Sequence, residues 1–224
     1  TQSVKRAVVH ASQATLAQPA GHKSRIQFYD TDLQSTIKRY VLLEDLVRDA
    51  IDKGEVGVQY QPIIRCLDWE VAGYEAFCRF NIDSTLNATT TELIELAEDL
   101  GLISDLDLFI YQSAFSQCSR LLKKSGHFLN LNLSPNTQQN LPEVLECMVV
   151  LAKQEKIELQ QIIIDVNEVK NPAATLDFST LLPGFRQRGI EFALDDLSHG
   201  FRLADVLSKG EFKYLRVSRE LIEH

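Results

Sequence analysis

From residue 57 onward, short apolar runs alternate with longer stretches of helical periodicity, and this alternation constrains the fold more than any other feature. The apolar runs predict strands at 57–64, 71–78, 127–132, 161–166, 190–195 and 212–217. The helical patterns lie between most of them, at 90–100, 104–123, 140–155, 176–188 and 201–208. Nearly continuous apolar strands separated by helices are typical of a parallel sheet that helices cover. Only a few residues join the first two strands, so we expect that pair to be antiparallel.

The first 53 residues follow a different pattern. Residues 1–22 predict a helix rich in small residues, and residues 24–29 predict a short strand. Residues 31–53 carry apolar side chains at helical spacing, and Gly54 follows them as a stop signal. We therefore expect a long amphipathic helix to lead into the strand–helix alternation.

Charge and cysteine content limit the classes of function. The formal net charge is -8, so the chain lacks the basic surface of a nucleic-acid-binding protein, and we expect no nucleic-acid partner. The four cysteines are widely spaced without a CxxC pair, which favours reduced thiols over disulfides or a zinc site. No apolar run approaches the roughly 18 residues of a membrane span, and no signal peptide opens the chain. We expect a cytoplasmic domain without membrane contact of its own, whether or not an anchor lies upstream.

Polar side chains lie within or at the ends of the predicted strands. They are Glu75 in the second strand, Asn132 and Asp165 near the ends of the next two, Asp195 and Asp196 at the end of the fifth, and Arg216 near the end of the last. In a barrel the carboxyl ends of the strands converge on one mouth, whereas an open doubly wound sheet usually adds a glycine-rich phosphate loop, which we do not find. Taken singly, an asparagine or aspartate at a strand end is more often a turn residue or a helix cap than a functional group.

The acidic and amide members of this set share one kind of ligand atom, oxygen. Oxygen ligands suit Mg²⁺, Mn²⁺ or Ca²⁺ rather than zinc. Two adjacent aspartates, Asp195 and Asp196, are suited to bridge a pair of metal ions that activates a water and clamps a phosphodiester. The joint arrangement predicts a metal site at the strand ends.

Seven short motifs follow one another along residues 45–224. They are YQPI at 60–63, YEAFCRF at 74–80, LAEDLGLI at 96–103, NLNLSP at 130–135, DVNE at 165–168, ALDDLSHGF at 193–201 and YLRVSR at 214–219. Their order and spacing resemble those of the EAL domain family, whose members bind and cleave cyclic di-GMP. The resemblance implies an α/β fold, a TIM-like (β/α)8 barrel with an antiparallel first strand. Because we count six strands, we expect the barrel to be incomplete at its C-terminus.

The resemblance also divides the chain into three parts. Residues 1–30 are similar to the last helix and strand of a GGDEF domain, the cyclic di-GMP synthase fold that often precedes EAL domains, although no GGDEF signature occurs here. The alternative is an N-terminal extension that packs on the barrel. Residues 31–53 form the linker helix, and residues 54–224 form the EAL-like barrel domain.

The resemblance further implies roles for individual residues. One metal ion, Mg²⁺ or Mn²⁺ if metal binding is retained, would be held by Glu75, Asn132, Asp165 and Asp195, and a second by Asp195 and Asp196. Gln61 and Arg79 would hold the nucleotide. The catalytic positions would be Glu75, Asp195 and Arg216.

Several departures from the family pattern count against turnover, among them Ser218 in place of an aspartate. Asp165 stands in place of a longer glutamate, and Arg216 replaces a lysine with a group that cannot act as a general base. The loop at 197–201 has lost a glycine and its backbone freedom.

These departures predict a degenerate EAL domain that binds cyclic di-GMP or a protein signalling partner without efficient hydrolysis, with a homodimer through the barrel as a further expectation. The alternatives are an active phosphodiesterase that yields linear pGpG and a nucleotide-independent interaction scaffold.

Overall fold

The computed structural model describes residues 31–82, 86–134, 140–167, 178–195, 212–217 and 222. Its helices are α1 (Thr31–Lys53), α2 (Thr90–Asp99), α3 (Ile103–Ser125), α4 (Leu141–Gln154) and α5 (Phe178–Gln187), with a 3₁₀ turn at Leu159–Gln161. Its strands are β1 (Val56–Ile64), β2 (Val71–Phe80), β3 (Phe128–Leu133), β4 (Ile162–Asn167), β5 (Glu191–Asp195) and β6 (Tyr214–Leu215). The predicted segments at 1–22, 24–29 and 201–208 lie outside the described residues.

The six strands form one sheet in the order β1-β2-β3-β4-β5-β6. Strands β1 and β2 pair antiparallel, and every later neighbouring pair is parallel. The α/β architecture and the reversed first strand predicted from the sequence are therefore confirmed. The prediction for the last strand, 212–217, was too long, because only Tyr214 and Leu215 form ladder pairs with β5.

The face of the sheet that packs against α3 and α4 is apolar and buried. In β3 and β4 every second residue faces these helices, and the buried set comprises Leu129, Leu131, Leu133, Ile162, Ile164 and Val166. The helices contribute Tyr111, Phe115, Leu122, Leu145 and Met148 to the same cluster. We call this the outer face. Because successive strand residues point to opposite sides, the alternate residues form the inner face, which carries the polar side chains.

A second apolar cluster fixes α1 to the body of the domain. Leu43 and Val47 are buried against a set from β1, β2, α2 and α3, namely Val56, Phe80, Leu93, Leu96, Leu106 and Ile110. Arg39 adds a fork-like ion pair from α1 to Glu92 of α2, with nitrogen–oxygen distances of 2.5 and 2.8 Å. The helix predicted at 31–53 is confirmed at both ends, and it packs on the domain along its second half.

Local sequence accounts for several element ends. The Thr89 hydroxyl accepts a hydrogen bond from the Glu92 backbone at 3.1 Å and so caps the start of α2. Gly126 ends α3 with a left-handed φ of 69°, a conformation that glycine adopts without strain. Across the described ranges, none of the helices combines the length and the hydropathy that a membrane span requires.

Candidate functional site

The strand register gathers polar side chains on the inner face. Glu75 of β2 lies opposite Gln61 of β1 on one side and Asn130 of β3 on the other. Asn132 of β3 lies opposite Asp165 of β4. Residues that pair across neighbouring strands project from the same face of a sheet, so these side chains form one polar strip across four strands.

Arg216, directly after β6, contacts two acidic side chains of this strip. Its Nη1 donates to Glu75 Oε1 at 2.9 Å and also to Asp165 Oδ2, and its Nη2 donates to Glu75 Oε2 at 3.0 Å. Glu75 is 5% exposed and Asp165 is 1% exposed, whereas 37% of the Arg216 side chain is exposed. One guanidinium thus joins β2, β4 and the segment after β6 through charge-assisted hydrogen bonds, two of which grip Glu75 as a fork.

Two asparagine side chains also donate hydrogen bonds to the carboxylates. Asn130 Nδ2 donates to Asp165 Oδ2 at 3.2 Å. Asn132 Nδ2 donates to Glu75 Oε1 and to the Ala76 carbonyl, at 3.3 Å in each case. Each buried carboxylate therefore receives one cationic and one neutral donor, which offsets the cost of removing its charge from water.

The charge of Arg216 is fixed by this environment. Burial lowers the pKa of the guanidinium, but the hydrogen bonds and charges of Asp165 and Glu75 outweigh burial and raise the pKa above its ordinary value. The side chain stays protonated at any pH at which the protein is folded, so it supplies positive charge and cannot accept a proton.

The described residues do not fit a divalent cation in this arrangement. A metal ion bound by both Glu75 and Asp165 would take the position of Arg216 Nη1, which contacts both carboxylates. Among the described residues, no group of three or more His, Cys, Asp or Glu side chains could hold a metal. Asp195 ends β5 opposite Asn167, but its side chain and all of Asp196 lie outside the described residues.

The two residues predicted to hold the nucleotide are exposed on β1 and β2. Gln61 is exposed on β1 beside Glu75. Arg79 is exposed near the end of β2, where Nε donates to Gln59 Oε1 and Nη1 donates to the Cys78 carbonyl, at 2.8 Å in each case. Its guanidinium also lies over the Phe77 ring, 5.6 Å from the centroid. These contacts hold Arg79 at the rim, where its role as a phosphate contact stays a prediction.

Two members of the site were not singled out from the sequence. Asn130 is buried and bonded to Asp165, and its period-two spacing from Asn132 could have placed it on the inner face. Tyr111 of α3 is fully buried and donates its hydroxyl to the Asn132 carbonyl at 3.1 Å. No local signal marks Tyr111, because its position in the sequence is that of an ordinary core residue.

The fold and the site define a class of α/β protein in which a reversed first strand opens a parallel sheet with acidic and amide residues on its inner face. The model of the EAL domain family matches residues 44–224, and the chain belongs to that family. Its relatives include the probable cyclic di-GMP phosphodiesterase PdeI of Escherichia coli K12, 26% identical over 183 residues, which cover 79% of this chain and 23% of PdeI. The probable cyclic di-GMP phosphodiesterase PdeB of the same organism is 24% identical over 180 residues, 79% of this chain and 34% of PdeB. The chain thus spans about a quarter to a third of these relatives' length.

Solved structures of EAL proteins share the fold. The PaMucR phosphodiesterase in complex with c-di-GMP has a TM-score of 0.71 at 20% identity, covering 81% of this chain and 74% of that one. The FimX EAL domain of Xanthomonas citri, also in complex with c-diGMP, has a TM-score of 0.69 at 17% identity, covering 86% and 74%. The predicted TIM-like class of fold, with its antiparallel first strand, is confirmed.

Proposed function

We propose that this chain binds cyclic di-GMP as a signalling EAL domain and does not hydrolyse it efficiently. The observation that carries the proposal is the guanidinium of Arg216, which contacts both Glu75 and Asp165. Relatives named as cyclic di-GMP phosphodiesterases support the choice of ligand, and so do the EAL structures that hold this nucleotide.

The contacts of Glu75 argue against efficient turnover. Oε1 accepts hydrogen bonds from Arg216 and Asn132, and Oε2 accepts one from Arg216, so a water that approached either oxygen would compete with the guanidinium. Arg216 itself cannot accept a proton. The role of Glu75 and Arg216 in this domain is then electrostatic and positional rather than catalytic.

Nucleotide binding requires fewer groups from the site than hydrolysis does. A phosphodiester needs positive charge and hydrogen-bond donors, which Arg79 and Gln61 offer from the exposed rim of β2 and β1. Because the chain as a whole carries a net charge of -8, such contacts must be local. Homodimerisation through the barrel, a protein signalling partner and a cytoplasmic location complete the proposal and rest on family resemblance.

The test is a calorimetric titration of cyclic di-GMP into the chain with Mg²⁺ present, followed by chromatography of the recovered nucleotide. We expect saturable binding and intact nucleotide. Arg79→Ala should weaken binding by about tenfold or more, the loss of a charge-assisted phosphate contact. Arg120→Ala, which removes an exposed arginine from α3, is the matched control and should leave the affinity unchanged.

Two other outcomes would replace the proposal. Recovery of linear pGpG would establish an active phosphodiesterase, the second candidate, which the names of PdeI and PdeB favour. Absence of binding in the wild-type chain would leave the nucleotide-independent scaffold. An Arg79→Ala variant that binds as tightly as the wild type would remove Arg79 from the nucleotide site.

A further inference from the structure

We infer that the guanidinium of Arg216 is a built-in substitute for a divalent cation, so that this site takes up no metal ion while Arg216 is present and becomes a metal site when Arg216 is removed. The inference rests on the proposed function for its meaning, because it implies that cyclic di-GMP binds here without a metal ion. Its physical basis is the charge and geometry of the inner face alone.

The two carboxylates of the site carry negative charge that a cation must compensate. Glu75 and Asp165 are both almost fully buried, and both contact the same atom, Arg216 Nη1. Two buried carboxylates at such close quarters repel one another and need a cation between them. Asn130 and Asn132 donate hydrogen bonds but carry no charge, so they cannot replace that cation.

The guanidinium of Arg216 occupies the space between the carboxylate oxygens, where a metal ion would lie. Glu75 Oε1, Glu75 Oε2 and Asp165 Oδ2 all point at the guanidinium, with two of the nitrogen–oxygen distances at 2.9 and 3.0 Å. Mg²⁺ binds oxygen at about 2.1 Å. For a metal ion at the position of Nη1, Glu75 Oε1 would therefore have to move inward by less than about 1 Å from its 2.9 Å distance. Carboxylate oxygens are the ligands that Mg²⁺ and Mn²⁺ prefer.

The two cations exclude one another because they need the same oxygens. A metal ion entering the wild-type site would have to break three hydrogen bonds and leave a guanidinium beside a divalent charge. Removing the side chain beyond Cβ reverses the situation, because two buried negative charges then remain with neutral donors only. The site should then attract a small divalent cation.

The experiment is a Mn²⁺ titration followed by the paramagnetic resonance signal of the free ion, with no nucleotide present. We compare the wild-type chain with Arg216→Ala, with Arg216→Ala combined with Asp165→Asn, and with Arg120→Ala as the control for loss of an exposed arginine. We expect the wild type and Arg120→Ala to bind no Mn²⁺ through Asp165, and Arg216→Ala to bind one ion per chain. The double variant lacks one of the two carboxylate ligands. It should therefore bind Mn²⁺ more weakly by about tenfold or more, since even the loss of an outer-shell partner typically has that effect.

Folding is controlled by circular dichroism and by a second variant, Arg216→Met, which keeps an unbranched apolar stem and removes the guanidinium. A folded Arg216→Ala or Arg216→Met chain that takes up no Mn²⁺ would overturn the inference. So would a wild-type chain whose Mn²⁺ binding is lost on Asp165→Asn alone, because the ion would then share the site with Arg216.

A nucleotide titration separates this inference from the proposed function. We expect cyclic di-GMP to bind the wild-type chain with the same affinity in Mg²⁺ and in excess EDTA, and a tenfold weaker affinity in EDTA would refute metal-independent binding. A chain that shows the expected Mn²⁺ pattern but binds no nucleotide would refute the proposed function and leave Arg216 as the cation of the site.

Discussion

The two faces of the central sheet belong to the same strands but are buried by different kinds of contact. On the outer face, leucine, isoleucine and valine side chains meet the helices, and contact of apolar surfaces is nearly independent of orientation. On the inner face, carboxylates, amides and one guanidinium meet through directed hydrogen bonds. Burial therefore has a different consequence on each face of the sheet. Outer-face burial supplies stability, whereas inner-face burial fixes where charges lie.

The largest expected effect lies on the outer face, at Leu131 in the middle of β3. Leu131 is fully buried beneath the helices, so Leu131→Ala removes apolar contacts and leaves a cavity. We expect the free energy of unfolding to fall by about 2–5 kcal/mol. Urea denaturation followed by circular dichroism measures the change. A loss below about 1 kcal/mol would mean that the outer face is more loosely packed than its burial indicates.

A smaller effect is expected one residue away, on the inner face. Asn130→Ala removes the hydrogen bond to Asp165, a buried charged acceptor that still contacts Arg216. We expect the free energy of unfolding to fall by about 1–3 kcal/mol, the range for loss of a hydrogen bond to a charged group. The same denaturation experiment, run beside Leu131→Ala, compares the two faces within one strand. A loss equal to that of Leu131→Ala would erase the distinction between them.

The smallest effect is expected at the inner face of the edge strand β1. Gln59 is exposed and its side-chain oxygen accepts one hydrogen bond from Arg79. Gln59→Ala should change the free energy of unfolding by no more than about 0.5 kcal/mol, as is usual for surface positions. A larger loss in the denaturation midpoint would show that the energetic weight of the inner face extends beyond Glu75 and Asp165 to its rim.

Most of the fold was predictable from sequence because it depends on periodicity. The helix at 31–53 was placed correctly at both ends, and the strand predicted at 127–132 forms at Phe128–Leu133. The last strand was overestimated, since the apolar run at 212–217 extends beyond the residues that pair with β5. Periodicity reports which side chains are buried, but the length of a strand also depends on which neighbour is there to accept its hydrogen bonds.

The site was predictable only in part. Glu75, Asn132 and Asp165 were gathered correctly on one surface, because the carboxyl ends of parallel strands meet at one edge. The cation that contacts both carboxylates was not predicted, because the order of residues along the chain does not show which side chain lies between them in the fold. The resemblance implies that Arg216 replaces a lysine, and the structure places its guanidinium in contact with both Glu75 and Asp165. The roles of Gln61, Arg79, Asp195 and Asp196 stay predictions.

The contact of Arg216 with Glu75 spans 141 residues of sequence. The β1–β2 hairpin can form locally, whereas β3, β4 and β5 lie between β2 and β6 both along the chain and in the sheet. The entropy of closing so long a loop is lost before the contact can offset it. We therefore expect the guanidinium to reach the two carboxylates late in folding, once the described strands have paired.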